Sequence, residues 1–335
     1  MFLFLCFLLL FGIKALELEN LCGELEEIDK SSVHFPKSYG HFGLPWHYFK
    51  RSKVYAGTKL LKSWNLVKQH KIQGLNETVE GLIKFLDESR CLFFVYGGAV
   101  RDLVIGEYPM DIDGTVTCNP HRLKRICKFR YGLGKCKRPH FGSEKLTIGA
   151  IPDENDTNLS LEPIDLAHWN TSFEVFGSDL EFSVNTLSLY NDPEDLDKIY
   201  LIDLTGDSLS DLCKKKITIP TKDNYWNEWV SLNKLYRFSK LRACGFAASD
   251  EKILAFIVQK VKENYDEVFF KKFFCHSFLD GSYEVKGNVC VHQFVNARKK
   301  QRIQTFVNSL QDDYGFDFYE KKFKNAILEI YSLEK

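Results

Sequence analysis

The spacing of apolar and polar positions changes character several times along the chain, and each change predicts a different element. Residues 2–13, FLFLCFLLLFGI, are an unbroken apolar run. Residues 16–75 are aromatic-rich without a clear period, and HFGLPWHYFKR (41–51) reads as a packed loop. From Asn76 the period sharpens. Val79, Leu82, Ile83 and Leu86 recur at helical spacing, and CLFFVY (91–96) is a continuous apolar run of the length of a buried strand. In GGAVRDLVIG (97–106), two glycines permit a tight turn, Ala99 to Ile105 fit a short helix, and Gly106 ends it.

If MDIDGTV (110–116) is a strand, its side chains alternate, and Asp111 and Asp113 project on one face. Asn119 and Pro120 then suit an N-cap and first helical residue. Further strands are expected in LEPIDLAHW (161–169), LEFSVNTLSLY (180–190) and KIYLIDLTG (198–206), with a polar loop at 152–160. From about residue 223 the helical period dominates. Ser249 is positioned to cap a helix whose Ile253, Leu254, Ile257, Val258 and Val261 share a face, and a last helix near 316–333 aligns Tyr319, Phe323, Ile327 and Ile330. The expected organisation is a leader at 1–15, an irregular extension at 16–75, an α/β region at 76–222 and a helical region at 223–335.

Composition narrows this picture only modestly. With 335 residues, 44% of them hydrophobic, the chain can bury one large core or two modest ones. Its 45 basic and 45 acidic side chains balance, so any electrostatic recognition comes from local patches. The opening apolar run has signal-peptide length and is too short to span a bilayer, with cleavage expected after Ala15 and no stable membrane anchor remaining. That predicts a secreted or endoplasmic-reticulum-luminal protein. Loss of Cys6 with the leader takes the ten cysteines to nine, enough for four disulfides and one free thiol in an oxidising compartment. Sequons at Asn76, Asn155, Asn158 and Asn170 add candidate glycosylation sites. No cysteine pair has CxxC spacing, which argues against a structural zinc site.

Local charge is uneven. Between Arg122 and Arg138 lie eight Lys or Arg and no acid. Arg122, Lys124, Arg125, Lys128 and Arg130 fit either a solvated helix face or a phosphate-binding, RNA-contacting flank on which Phe129 and Tyr131 stack bases.

DIDGT (111–115) supports two chemistries. It resembles the nucleophile loop of haloacid-dehalogenase-type phosphohydrolases, with Asp111 attacking phosphorus and GDSLSD (206–211) as the later acidic motif. Against this, that loop should leave a buried apolar strand, and GEYP (106–109) does not build one; Gly-Asp-Ser clusters are also ordinary turn chemistry. The other resemblance is broader. FFVYGGAVRDLVIGEYPMDID (93–113) is similar to the nucleotidyltransferase head of the CCA-adding tRNA nucleotidyltransferase and bacterial-type poly(A) polymerase family. The likeness continues in order through LEPIDLAHW, LEFSVNTLSL, LIDLTGDSLSDLCKKKI and LYRFSKLRACGF, covering roughly residues 80–250.

This resemblance implies an α+β fold, a polymerase-β-like head of mixed sheet and helices followed by a short all-helical neck and body. It implies Asp111 and Asp113 as ligands of Mg²⁺ or Mn²⁺, and Asp165 as a third catalytic carboxylate that binds metal or accepts the hydroxyl proton. Gly97, Gly98, Arg101, Asn185 and Arg237 become nucleotide-binding residues, with a nucleoside triphosphate as substrate and RNA as a candidate acceptor. The chain departs from the family in two places. Asp179, Leu180 and Glu181 stand where Arg-Arg-Asp is usual, and Asn227, Glu228 and Ser231 stand where an acidic pair and an arginine read the base. Those losses argue against faithful CCA addition. The implied function is metal-dependent transfer of a nucleoside monophosphate to RNA or another hydroxyl acceptor. A nucleotide- or RNA-binding module without full activity is the alternative, and a phosphohydrolase the third reading.

Overall fold

The computed structural model describes residues 18–36, 51–109, 111–137, 145–149, 164–168, 182–219, 232–278, 282–284, 289–291 and 297–332. The chain divides into two compact units, residues 1–213 and 214–335.

The first unit is built on a nine-stranded mixed sheet. In chain order its elements are β1 (Glu26–Ile28), β2 (Lys53–Ala56), α1 (Thr58–Lys68), α2 (Val79–Glu88), β3 (Phe93–Tyr96), α3 (Gly98–Val104), β4 (Asp113–Val116) and α4 (Pro120–Tyr131). They continue with β5 (Cys136–Lys137), β6 (Lys145–Ile148), β7 (Ile164–His168), β8 (Leu187–Asn191), β9 (Ile199–Asp203) and α5 (Ser208–Cys213). The spatial order is β1-β2-β9-β8-β3-β4-β7-β6-β5, and the β4–β7 pair alone in this sheet runs parallel among the described residues.

Register partners in a sheet point their side chains to the same face. One row across the sheet therefore reads Val54, Ile202, Ser188, Tyr96, Asp113, Asp165, Thr147. The next row on that face includes Tyr200, Tyr190, Phe94 and Thr115. The β9-β8-β3 side of the face is apolar and covered. Phe94 and Tyr190 stack with centroids 5.0 Å apart, and Phe35 lies 4.7 Å from the Tyr190 ring. Val33, Val54, Leu92, Tyr200, Ile202 and Leu204 complete this cluster, and the Tyr190 hydroxyl donates to the His34 carbonyl at 3.1 Å.

The expectation of an irregular extension over 16–75 is corrected here. β1 and β2 pair with each other and β2 with β9, while α1 buries Leu60, Trp64 and Val67. Those three recur at i, i+4 and i+7, a signal present in the sequence but diluted by Lys, Ser and Asn between them. Leu21 donates from its amide to Val104, and Cys22 is disulfide-bonded to Cys213, so the early segment is fastened to the body of the unit. Gly106 meets the same segment closely: at φ +80°, an added Cβ would stand 2.8 Å from the Leu18 carbonyl oxygen.

The predicted caps and helices form with small shifts. Asn119 accepts from the amides of His121 and Arg122 ahead of Pro120. The helix assigned to Ser249 is capped instead by Asp250, whose carboxylate accepts from Lys252 N.

The second unit is mostly helical: α6 (Leu232–Ala243), α7 (Glu251–Glu263), α8 (Glu267–Phe278), α9 (Ala297–Tyr314) and α10 (Asn325–Ser332), with the short pairs β10 (Lys216–Ile217)/β11 (Ala247–Ala248) and β12 (Ser282–Glu284)/β13 (Val289–Val291). Its core is aromatic. Phe270, Phe274, Phe306 and Phe323 are fully buried, and Phe270 lies 4.8 Å from Phe323. The C-terminal helical stretch turns through a π-helical segment at Tyr319–Lys324, and Tyr319, Phe323, Ile327 and Ile330 are buried as their spacing predicts. Arg242 forks onto Asp313, and Lys271 is held by Glu267 and Glu329.

Among the described residues four disulfides join Cys22–Cys213, Cys91–Cys118, Cys127–Cys136 and Cys275–Cys290, and Cys244 is free. No helix of the described residues is long and apolar enough to cross a membrane.

Candidate active site

One end of the sheet gathers most of the predicted residues of the first unit. β3 ends at Tyr96, beside Asp113 at the start of β4 and Ser188 near the start of β8. The chain leaves β3 through Gly97, which adopts φ +72° and ψ −130°, a conformation for which glycine is the suitable residue. An added Cβ at Gly97 would meet nothing within 4 Å, and at Gly98 only an Arg101 guanidinium nitrogen at 3.5 Å. The backbone of this turn is open to close approach by another molecule.

Asp113 and Asp165 are direct register partners on the parallel pair β4–β7, on the same face and both half-buried. Adjacent strands are about 4.8 Å apart, so two acids this close repel unless a positive charge stands between them. Thr147 on β6 donates its hydroxyl to Asp165 Oδ1 at 2.6 Å, which fixes the carboxylate and leaves Oδ2 for another partner. Arg101 is 11% exposed and donates to Asn185 Oδ1 at 2.9 Å, with Asp102 3.5 Å away. Two predicted nucleotide-binding residues 84 positions apart are thus joined, beside the glycine turn.

Gly114 has a packing reason of its own. It lies on the opposite face from Asp113, and an added Cβ would stand 2.1 Å from the Phe93 ring. The glycine of DIDGT makes room for Phe93.

Asp111 differs from its expected place. β4 begins at Asp113, so Asp111 lies in the lead-in, exposed, while Ile112 between them is buried. Among the described residues, no three His, Cys, Asp or Glu side chains are grouped to hold a metal ion. The donor set nevertheless suits a hard cation: Mg²⁺ is commonly held by one or two carboxylates together with substrate phosphates and water. The pair Asp113 and Asp165 fits that mode, whereas a preformed three-carboxylate cage does not.

Arg237 lies exposed on α6 in the second unit. The positions of the two missing-arginine motifs, 179–181 and 227–231, fall outside the described residues, as do the sequons at Asn155, Asn158 and Asn170; Asn76 is exposed.

The basic segment is only partly free to bind. Arg130 is engaged by Glu88 at 2.8 Å and Glu77 at 3.8 Å and covers the Phe85 ring. Tyr131 packs edge-on against Phe85 at 5.3 Å, and burial pushes its hydroxyl up to about 12. Tyr131 is thus turned into packing against Phe85, away from the base-stacking place expected for it, while Arg130 remains at the surface with its guanidinium engaged by two acids. Arg122 and Arg125 are exposed, Lys124 and Lys128 half-exposed, and Phe129 is exposed.

The sheet order also weighs against a phosphohydrolase. GDSLSD follows β9, which is three strand spacings from β4, roughly 14 Å, too far for one cation to bridge. Asp203 instead accepts from the amides of Thr205, Gly206 and Leu209, and Asp211 accepts from the Ser183 hydroxyl at 2.6 Å. The motif closes a turn and braces the segment before β8.

No protein-family model matches the chain, and no curated protein does. Among solved structures, it is similar to a CCA-adding enzyme in complex with ATP, at 19% identity and TM-score 0.49, covering 77% of this chain and 55% of that one. It is similar to the Thermotoga maritima CCA-adding enzyme complexed with tRNA, at 19% identity and TM-score 0.46, covering 76% and 55%. A CCA-adding enzyme in complex with CTP gives 21% identity and TM-score 0.46, covering 76% and 54%. The chain spans just over half the length of these proteins. None of the three likenesses reaches a TM-score of 0.5, so a functional reading rests on this chain's own residues.

Proposed function

We propose that the chain is a diverged nucleotidyltransferase that moves a nucleoside monophosphate from a nucleoside triphosphate to a hydroxyl acceptor with release of pyrophosphate, with RNA the leading acceptor class and base-specific CCA addition lost. The observation that carries this reading is the Asp113–Asp165 pair on adjacent parallel strands, with Asp113 in register with Tyr96, the residue before the Gly97–Gly98 turn that Arg101 adjoins.

In this reading Asp113 and Asp111 would hold Mg²⁺ or Mn²⁺, with Asp165 as the third carboxylate of the site. The cation supplies charge neutralisation at the transferring phosphoryl group. Asp165, oriented by Thr147, has Oδ2 for one of two roles, ligand of the cation or acceptor of the proton of the attacking hydroxyl. The open glycine turn lets backbone amides approach the phosphates, and Arg101, held by Asn185, adds a charge-assisted donor. Leader removal, secretion and glycosylation belong to the same proposal, supported by four disulfides, which persist in oxidising compartments.

A binding module without turnover is favoured by one observation, the absence of a grouped metal trio among the described residues. Purified protein given labelled nucleoside triphosphates, RNA and Mg²⁺ or Mn²⁺ separates the two. The transferase reading predicts label in the acceptor, abolished by Asp113→Ala. Binding of triphosphate without transfer, unaffected by that change, establishes the module instead.

A further inference from the structure

Helix α4 has two faces, and the fold uses only one. Leu123, Cys127, Arg130 and Tyr131 recur at i, i+4, i+7 and i+8 and point inward or along the body. Leu123 and Cys127 are buried, Cys127 is disulfide-bonded to Cys136, and Arg130 and Tyr131 close over Phe85. Arg122, Arg125, Ile126 and Phe129 recur at i, i+3, i+4 and i+7 on the other side. Arg122 and Arg125 are exposed, Ile126 is half-buried, and Phe129 is 95% exposed. Leu133, just past the turn at Gly132, is 77% exposed. Of the exposed large hydrophobics among the described residues, these two are the most exposed.

We propose that this face is a peripheral docking surface for an anionic lipid membrane. An interfacial helix needs large apolar side chains on one exposed face with basic residues around them, so that the former enter the headgroup boundary while the latter meet lipid charge. Phe129 and Leu133 supply the first, Arg122 and Arg125 the second. Arg122 and Arg125 are exposed and Lys124 and Lys128 half-exposed beside them, with no acid in the helix itself, and this local charge selects an anionic partner. A nucleic acid fits less well: Leu133 has no ring to stack on a base, the outward positions carry no Asn, Gln, Ser or Thr to bond one, and Tyr131 is turned inward. The Cys127–Cys136 disulfide and the Asn119 cap hold the ridge in place at both ends. This surface is independent of nucleotidyl transfer.

Flotation of the full-length protein with vesicles tests it. Retention is expected on phosphatidylcholine vesicles containing phosphatidylserine, weakened by high salt, and much lower on phosphatidylcholine alone. Phe129→Ser with Leu133→Ser, and separately Arg122→Glu with Arg125→Glu, are expected to lower retention at least about tenfold. Circular dichroism of both variants should match the parent, because all four side chains are exposed. Parent and variants share the same N-terminus, so differences between them report on α4. Retention that is absent, equal on both vesicle types or untouched by either pair of substitutions overturns the proposal. So does labelled RNA captured through these residues by a protein that ignores the vesicles.

Discussion

One face of one sheet carries two chemistries. Over β9, β8 and β3 it is aromatic, with Phe94, Tyr190 and Tyr200 packed under Val33 and Phe35. Over β4, β7 and β6 it presents Asp113, Asp165 and Thr147. The strands alternate in the same way on both sides, so alternation did not create the difference. What separates them is the cover: the N-terminal segment bonds to Tyr190 through the His34 carbonyl and seals the aromatic half. Two acids side by side would be costly under such a lid, since a buried unpaired charge loses its hydration. The aromatic half is buried under that segment, whereas Asp113 and Asp165 remain half-buried.

Substitutions in the two halves should therefore fail in different assays. Asp165→Asn is expected to lose several kcal/mol of transition-state stabilisation, about a thousand-fold in transfer rate at roughly 1.4 kcal/mol per decade. Its melting temperature should be unchanged or raised, because a like-charge pair is relieved; a melting temperature lowered in proportion to the activity would erase the distinction between the halves. Phe94→Ala should do the reverse, lowering unfolding free energy by about 3–5 kcal/mol in denaturant titration. Gly114→Ala sits between them: crowding Phe93 should cost about 1–3 kcal/mol of stability, and transfer measured well below the new melting point should survive, because the glycine faces away from Asp113. The smallest effect is expected for Thr147→Val, about tenfold in transfer rate if the hydroxyl only orients Asp165, with Thr147→Ser restoring most of it. Equal losses for the Val and Ser variants would point to strand packing instead of the hydrogen bond.

How much of this the chain discloses before folding depends on the distance over which each feature is decided. Features settled within one element are legible. Asn119 and Pro120 cap and open α4, β3 falls within CLFFVY, and the buried stripe of the last helix follows its spacing. Asp113 and Asp165 also fall in segments whose pattern predicts strands, and both lie on strands. Features settled by pairing across the chain are not. β2 joins β9 about 150 residues away, and nothing in KVYA names that partner. The nine cysteines beyond residue 15 allow four bridges by count, but only the fold pairs Cys22 with Cys213. Alternation places Asp111 on the strand only if the strand has begun there, whereas β4 starts two residues later. Nor does the sequence show that Glu88 and Phe85 of α2 lie beside Arg130 and Tyr131.

The central claim is that the acidic half of this face is a working site and not a structural remnant. Incorporation of labelled nucleoside monophosphate into RNA, measured for the parent protein beside Asp113→Ala/Asp165→Ala in Mg²⁺ and in Mn²⁺, tests it most directly. The account predicts incorporation by the parent and none by the double variant, with both melting at closely similar temperatures. Incorporation by both alike, or by neither, would contradict it.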